Sequence, residues 1–298
     1  MSQSTALTAF QAIGNREDLT DVITNISPAE TPMLSRFGKS KAKGVTHEWQ
    51  TDTLATAAAN AAIEGADYSF ARVGVRTRVS NWVQDFVNEV EVSDIQRAVD
   101  VAGVEDEFAY QMTKAMKEHA RDIEYALVNG TGNSGASGTA RTLKGVLAFV
   151  TTNVETGTGT STSETLTADM FNDALQTIWA AGGRPNEVYV NGFQKRAISG
   201  FTSPNTRNIG ATEKEVIVGV DVYDSDFGRL KVILDRYMTA SVVAILQSDL
   251  WRVATLMPTR RVDVAKIGSA TRAVVESVLT LESLNEAGSG QITGLATS

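Results

Sequence analysis

The sequence predicts an α+β fold. Three observations carry this: period-two strand patterning before the midpoint and again through the last third, one long amphipathic helix, and a βα alternation between them. A length of 298 residues suits one large domain or two interleaved ones, and 42% hydrophobic against 21% charged residues is enough for a sizeable core.

The first elements are weak. Leu19, Val22, Ile23 and Ile26 mark one face of a short helix. Ser27-Pro28-Ala29-Glu30 reads as an N-cap, a first-turn proline and a capping-box glutamate. Thr31-Pro32 is a second start signal and Gly38 a stop. Such fragments are too short to be stable alone. Within them runs a basic tract with no acid: Arg36, Lys39, Lys41 and Lys43.

Residues 45–52 read as extended. "LATAAANAAIEGADYSFA" follows, uncharged apart from Glu64 and Asp67, as a flexible tip. The return leg is "RVGVRTRVSNWVQ", with Val73, Val75, Thr77 and Val79 on one face and Arg72, Arg76 and Arg78 on the other. Together these predict a two-stranded ribbon of ~12 residues a side, reaching ~40 Å. A lone ribbon is marginal in water, so this one needs a partner.

Ser93 with Gln96 forms a capping box that opens a short helix up to Gly103. Residues 104–129 then predict the dominant helix, ~39 Å long. Phe108, Met112, Met116, Ala120, Ile123 and Leu127 form its apolar stripe. Glu105, Asp106 and Glu107 fill its first turn, where the helix dipole favours negative charge, and Gly130 closes it.

"GTGNSGASGTART" (130–142) and "NVETGTGTSTSET" (153–165) read as loops. Thr167 caps a helix bearing Phe171, Leu175, Ile178 and Trp179, which ends at Gly182-Gly183. "NEVYVN" is a buried strand and "GFQKRAISG" a further helix, giving a compact α/β lobe over 145–219. The rest returns to β: a hairpin in "VIVGVDVYDSDFGRLKVILD", then "SVVAILQ", "LWRVATLM" and "RAVVESVLTLESLN".

The inventory bounds the chemistry. With no cysteine there is no disulfide, thiolate ligand or cysteine nucleophile, and the chain fits a reducing compartment. Two histidines, His47 and His119, leave little for a zinc site or a histidine triad. No apolar run approaches the ~18 residues of a membrane span. "MSQSTALTAFQAIGNRED" lacks the pattern of a secretory signal.

Candidate motifs reduce to structure. "DFG" (Asp226 to Gly228) lacks the rest of the kinase set and reads as a hairpin turn. The glycine-rich 130–142 lacks the closing Gly-Lys-Ser/Thr of a phosphate loop. "HEW" (His47 to Trp49) lacks a second histidine four residues on, so Trp49 reads as an anchor in a strand. His119 has no second ligand and reads as a packed or surface histidine. Glu89 and Glu91, about 7 Å apart on one strand face, are the one carboxylate pair that a hydrolase could use. A solvated or ion-paired strand edge is the simpler reading.

Charge is uneven. The net charge is −8, and residues 85–128 hold eleven acids against four Lys/Arg. An acidic chain is a poor general ligand for nucleic acid, though it can enclose it. Arm, ribbon and dominant helix each have faces or edges that one copy does not cover. That predicts obligate interfaces of roughly 2,000–5,000 Å².

The order of these parts resembles the major capsid proteins of tailed bacteriophages, the HK97-like fold. The wording is similar to one branch, the SU10-type major head proteins, over about residues 15–290. "NREDLTDVITNISPAETPMLSRFGKSKAKGVTHEWQTDTL" resembles its N-arm entering an extended loop. "DEFAYQMTKAMKEHARDIEYALVNGTG" resembles its spine helix, and "LWRVATLMPTRRVDVAKIGSATRAVVESVLTLESLNEAG" its C-terminal strands.

The resemblance implies an N-terminal arm (1–44), an extended loop (45–84), a peripheral domain (85–144) with spine helix 104–129, an axial domain (145–219), and a peripheral β-return (220–298). It implies a structural protein and not an enzyme, without cofactor or metal. Copies would assemble in the host cytoplasm into pentamers and hexamers of an icosahedral virion head. That head would enclose double-stranded DNA without sequence-specific binding, with portal, scaffolding and decoration proteins as partners and no membrane. The expected inter-subunit contacts are Arg36, Lys39, Lys41, Lys43, Trp49, Arg72, Arg76, Arg78, Glu105, Asp106 and Glu107, the cations neutralising the acidic 85–128 region of neighbours.

Some capsids of this fold cross-link an extended-loop lysine. No lysine occurs here between Lys43 and Lys114, so that route is closed. No long charged helix precedes the arm, so no fused scaffold is expected. An encapsulin shell, which shares the fold, is the nearest alternative.

Overall fold

The structure, a computed structural model, describes residues 30–61, 63–65, 67, 74–99, 104, 106–157, 164–201 and 222–297. The expected helix at 19–26, the Ser27-Pro28 start, Arg72 and Glu105 lie outside them.

The described chain opens with α1 (Pro32–Arg36), which has proline in its first turn and Phe37 at its C-cap. Strands β1 (Gly38–Lys41), β2 (Thr46–Thr51), β3 (Thr77–Trp82) and β4 (Gln84–Ser93) follow. Next come α2 (Asp94–Ala98) and α3 (Glu107–Asn129). The Ser93 hydroxyl caps α2 through the N–H of Gln96, as its capping box predicts, and α2 ends at Ala98.

Helix α3 begins at Glu107, three residues later than expected. The Asp106 carboxylate accepts the N–H of Phe108 and takes the N-cap position, and Glu107 lies in the first turn. The buried stripe also differs. It runs through Phe108, Met112, Ala115, His119, Ile123 and Leu127. Met116 is 47% exposed. Steps of four residues overshoot a full turn by about 40°, so the series 108, 112, 116, 120 leaves the face that 115 and 119 stay on.

The glycine-rich segment after α3 is not a plain loop. β5 (Thr131–Asn133) and β6 (Thr142–Lys144) pair as a hairpin, and Gly135 and Gly138 supply the positive φ of its turn. The ribbon of β2 and β3 is half the expected length, with six residue pairs from Thr46 opposite Trp82 to Thr51 opposite Thr77. Residues 52–61 leave the ladder. They are mostly alanine and threonine, with few side chains large enough for cross-strand packing.

Beyond α4 (Val146–Phe149) and β7 (Val154–Thr156) come α5 (Ala168–Ala180), β8 (Glu187–Val190) and α6 (Gly192–Gly200), the βα alternation expected. The Thr167 hydroxyl caps α5 through the N–H of Met170. Phe171, Leu175 and Ile178 are buried, while Trp179 is exposed. β9 (Val222–Ser225) and β10 (Gly228–Leu234) form the expected hairpin, with Asp226 and Phe227 in its turn. β11 (Val243–Leu246), β12 (Trp251–Val264), β13 (Ala270–Ser283) and β14 (Gly290–Thr293) complete the chain.

Two sheets organise these elements. A four-stranded sheet has the order β1-β12-β13-β4 and carries α3 on one face. A six-stranded mixed sheet has the order β7-β14-β11-β8-β10-β9. The α/β lobe expected over 145–219 is therefore completed from outside that span: β9, β10, β11 and β14 all join its sheet. The physical reason is that β8 is buried at every position and needs a strand on each side.

The core has separate clusters. One packs α5, α6 and the six-stranded sheet. A central one joins α1, Phe37, the C-terminal half of α3, α4 and both sheets. A small one at the far end of α3 holds Val90, Val92, Phe108, Met112, Ala115, Ala273 and Val275. There the Phe108 ring lies between the guanidinium groups of Arg97 and Arg261, at 5.4 and 5.2 Å.

Candidate functional site

The basic tract splits into two environments. Helix α1 turns Arg36 toward Glu187 of β8, with Nη1 at 2.9 Å from Oε1. Glu187 also accepts the Tyr189 hydroxyl at 2.8 Å. Burial beside that carboxylate pushes the Tyr189 phenol far up. Arg36 thus has a partner in its own chain. Lys39 and Lys41 lie on β1, which pairs in parallel with β12. Ser40, between them, turns inward to donate to Glu282 at 2.7 Å. Lys39, Lys41 and Lys43 are exposed and form no ion pair among the described residues. They line the open edge of the four-stranded sheet, a position where lysine discourages unwanted strand pairing.

Trp49 is not at the surface. It is 9% exposed, with its ring 5.6 Å from His47 and 6.0 Å from Phe149. It anchors the ribbon to its own chain, because alternation along β2 points it inward. The sequence reading of an anchoring tryptophan in a strand describes this placement. Arg76 and Arg78 are exposed on the ribbon's outer face, paired with Asp52 at 3.7 Å and Glu48 at 3.3 Å. Such exposed pairs contribute little to stability and exchange partners readily. Asp106 meets Arg97 at 3.5 Å, and Glu107 accepts from Gln111.

The acidic stretch after residue 85 is partly neutralised within the chain. Glu91 is held by Arg272 at 2.6 Å and Asp94 by Lys266 at 2.7 Å. Lys266 holds the Asp94 carboxyl below the usual range. Of the two carboxylates on this strand edge, Glu91 is ion-paired and Glu89 is exposed to solvent, in line with the simpler reading. His47 stacks on Trp49 and faces Glu282 at 3.6 Å. His119 is packed, between Asn88 and Ser277. Among the described residues no group of His, Cys, Asp or Glu is arranged to hold a metal.

Two buried polar groups position the arm and the ribbon, and sequence reasoning missed both. The Glu124 carboxylate, wholly buried on α3, accepts the N–H of Met33 at 2.7 Å and of Leu34 at 2.8 Å. These are first-turn donors of α1, which a helix leaves unsatisfied. Burial pushes Glu124 up to about 7, against the two N–H bonds that lower it. Asn81, on β3, donates to the carbonyls of Lys144 and Leu281 and accepts from the N–H of Lys144 and Trp82. One amide thereby ties the ribbon to the β5–β6 hairpin and to β13. A signal existed for Asn81: it continues the face of Val75, Thr77 and Val79, a polar residue on a face of apolar and β-branched side chains.

What remains unmet in one copy is the ribbon's far end. Residues 52–61 are exposed throughout, Leu54 by 98%, and Ile63 and Val75 are 83% and 82% exposed. Residues 53–61 carry no charge, and an exposed stretch of this kind held away from its own core is free to meet another surface.

The model of the SU10 major capsid protein family matches residues 3–296. The chain belongs to the SU10 major capsid protein family. This capsid chain is also 23% identical to the major capsid protein of Escherichia phage Phieco32, over 97% of each chain. In structure it is similar to the capsid asymmetric unit of cyanophage A-1(L), with a TM-score of 0.80 at 14% identity, covering 98% of this chain and 100% of that one. It is similar too to the holo-SrpI encapsulin of Synechococcus elongatus PCC 7942, with a TM-score of 0.61 at 10% identity over 96% and 94%. The fold is HK97-like. The capsid chain is therefore a structural protein of a phage head. No described helix is long and apolar enough to cross a membrane.

Proposed function

We propose that copies of this chain associate into pentamers and hexamers, assembled in the host cytoplasm, that close into an icosahedral head around packaged double-stranded DNA. The observation that carries this is the projecting segment 53–61, exposed at every residue and outside the ribbon's ladder. Head-to-tail contacts of one copy's loop on the next close into rings when the rotation permits. In this reading residues 1–44 are the arm and 45–84 the extended loop laid on a neighbour. Residues 85–144 with β12 and β13 make the peripheral part, and the α/β lobe starting at 145 makes the axial part.

Lys39, Lys41 and Lys43 with Arg72, Arg76 and Arg78 meet acids of adjacent copies, Glu105, Asp106 and Glu107 among them. The excess of acid leaves the DNA confined by repulsion, without sequence-specific contact. Portal, scaffolding and decoration proteins complete the particle.

Electron microscopy of the purified protein, with and without residues 53–75, tests this. Closed shells from the whole chain and folded, unassembled subunits from the deletion are expected. Equal shells from both would refute the role of the loop. Shells that carry protein cargo in place of DNA would favour an encapsulin.

A further inference from the structure

The face that α3 buries on the four-stranded sheet is interrupted by one polar layer. From the N-terminal end of α3, Phe108, Met112 and Ala115 belong to the small outer cluster, and Ile123, Ala126 and Leu127 to the central one. His119 lies between them. On β4 the same division falls at Asn88, between Val90 and Phe86, and on β13 at Ser277, between Val275 and Leu279. The three residues meet. His119 Nδ1 is 2.6 Å from Asn88 Oδ1, and Nε2 is 2.7 Å from Ser277 Oγ. Asn88 Nδ2 donates to Asp122 at 3.0 Å, which turns Oδ1 toward the ring. Nδ1 is therefore the donor and Nε2 accepts the serine proton, the pairing of a neutral imidazole.

We propose that the Asn88–His119–Ser277 layer is a proton-operated joint. With His119 neutral, it locks the spine helix in register on the sheet; with His119 protonated, the tip beyond the layer opens as a unit. The tip comprises α2, residues 107–118, the outer part of β4, and the β12–β13 ends that meet it. Its cluster of seven buried residues is the weaker of the two that flank the layer. The inward faces of three elements cross at the layer, so losing its fit uncouples all three together.

The charges around His119 set the direction. Asp122 on its own helix and Asp85 on β4 favour the protonated ring, and burial opposes it more strongly. On β13 only Ser277 faces it, since Glu276 points to the opposite face and pairs with Arg260. The ring is 1% exposed, and among the described residues its hydrogen-bond partners are Asn88 and Ser277, neither a carboxylate. The closed state thus binds the proton less well than an open state in which the ring is hydrated. Closure is complete above the ordinary histidine value of 6.5 and is lost as pH falls below it.

Hydrogen exchange on the whole chain, kept as dispersed subunits, tests this at about pH 7.5 and about pH 5, on either side of the ordinary histidine range. After correction for intrinsic rates, acid should speed exchange in 88–98, 107–118 and 270–276 by about tenfold or more, while 123–129 and 243–246 stay protected. His119→Gln keeps a donor and an acceptor but does not titrate, and its tip should stay closed at both values. The imidazole resonance of His119 gives a readout that needs no folded variant. It should titrate below the ordinary histidine value and together with tip opening. Opening of the whole chain at once, acid opening that persists in His119→Gln, or titration of His119 with the tip still protected would each overturn the joint. The experiment reads single subunits, so its failure leaves the shell reading untouched.

Discussion

Glu124 accepts the backbone N–H of Met33 at 2.7 Å across 91 residues of chain, and no cation joins them. The carboxylate takes the place of the N-cap side chain that Thr31 does not provide. Glu124→Ala leaves two buried donors bare and is expected to destabilise the fold by about 2–4 kcal/mol. The midpoint of urea unfolding of dispersed subunits measures this.

The same carboxylate carries a pH dependence. Burial penalises its ionised form, so the native state holds the proton more tightly than the unfolded chain, whose ordinary value is 4.5. Its contribution to stability is whole below that value and is lost as pH rises through about 7. Across this range the urea midpoint of the parent should fall relative to that of Glu124→Gln.

Asn81 makes four hydrogen bonds with backbone groups of three strands. Asn81→Leu keeps the branched shape and strands those groups, for an expected loss of about 2–5 kcal/mol. Proteolysis should then cut near residue 77 before it cuts α5. A variant as resistant as the parent would show that the ribbon is held by Trp49 alone.

Gly145 packs against the end of α3. A Cβ there would meet backbone atoms of Gly130, Ala126 and Leu127 at 2.7–2.8 Å. Its own N–H also donates to the Gly130 carbonyl at 2.8 Å. No flexible side chain is available to yield, so Gly145→Ala is expected to cost about 1–3 kcal/mol or more. Thermal unfolding followed by circular dichroism checks it.

Lys39, Lys41 and Lys43 are exposed and without in-chain partners among the described residues, so they separate assembly from folding. Replacing all three by glutamate should change subunit stability by less than about 0.5 kcal/mol per site. Shell yield in sedimentation should fall sharply. Unchanged yield would remove these lysines from the interface.

Much of the fold was legible because its signals are local. The caps at Ser93 and Thr167, the period of β3, and the turn at Asp226-Phe227-Gly228 are each written within a few residues. The start of α3 lies later than expected because acids read as first-turn charges include the residue that caps the helix, Asp106. The joining of β14 to β7 and β11 has no local signature at all, since register is decided by strands far apart in sequence. The two groups that hold the arm and ribbon were missed for a related reason. An isolated buried Glu or Asn looks like any surface residue until its distant backbone partners are known.

The strand order imposes a timetable on translation. β13 lies between β12 and β4, and β14 lies between β7 and β11. A nascent chain halted on the ribosome before residue 270 has β4 and β12 with nothing between them and a second sheet split in two. Half-made copies on neighbouring ribosomes therefore lack the finished surfaces that a growing particle would accept. In the proposed shell, a polypeptide still being synthesised would therefore have no completed sheet to offer a neighbour.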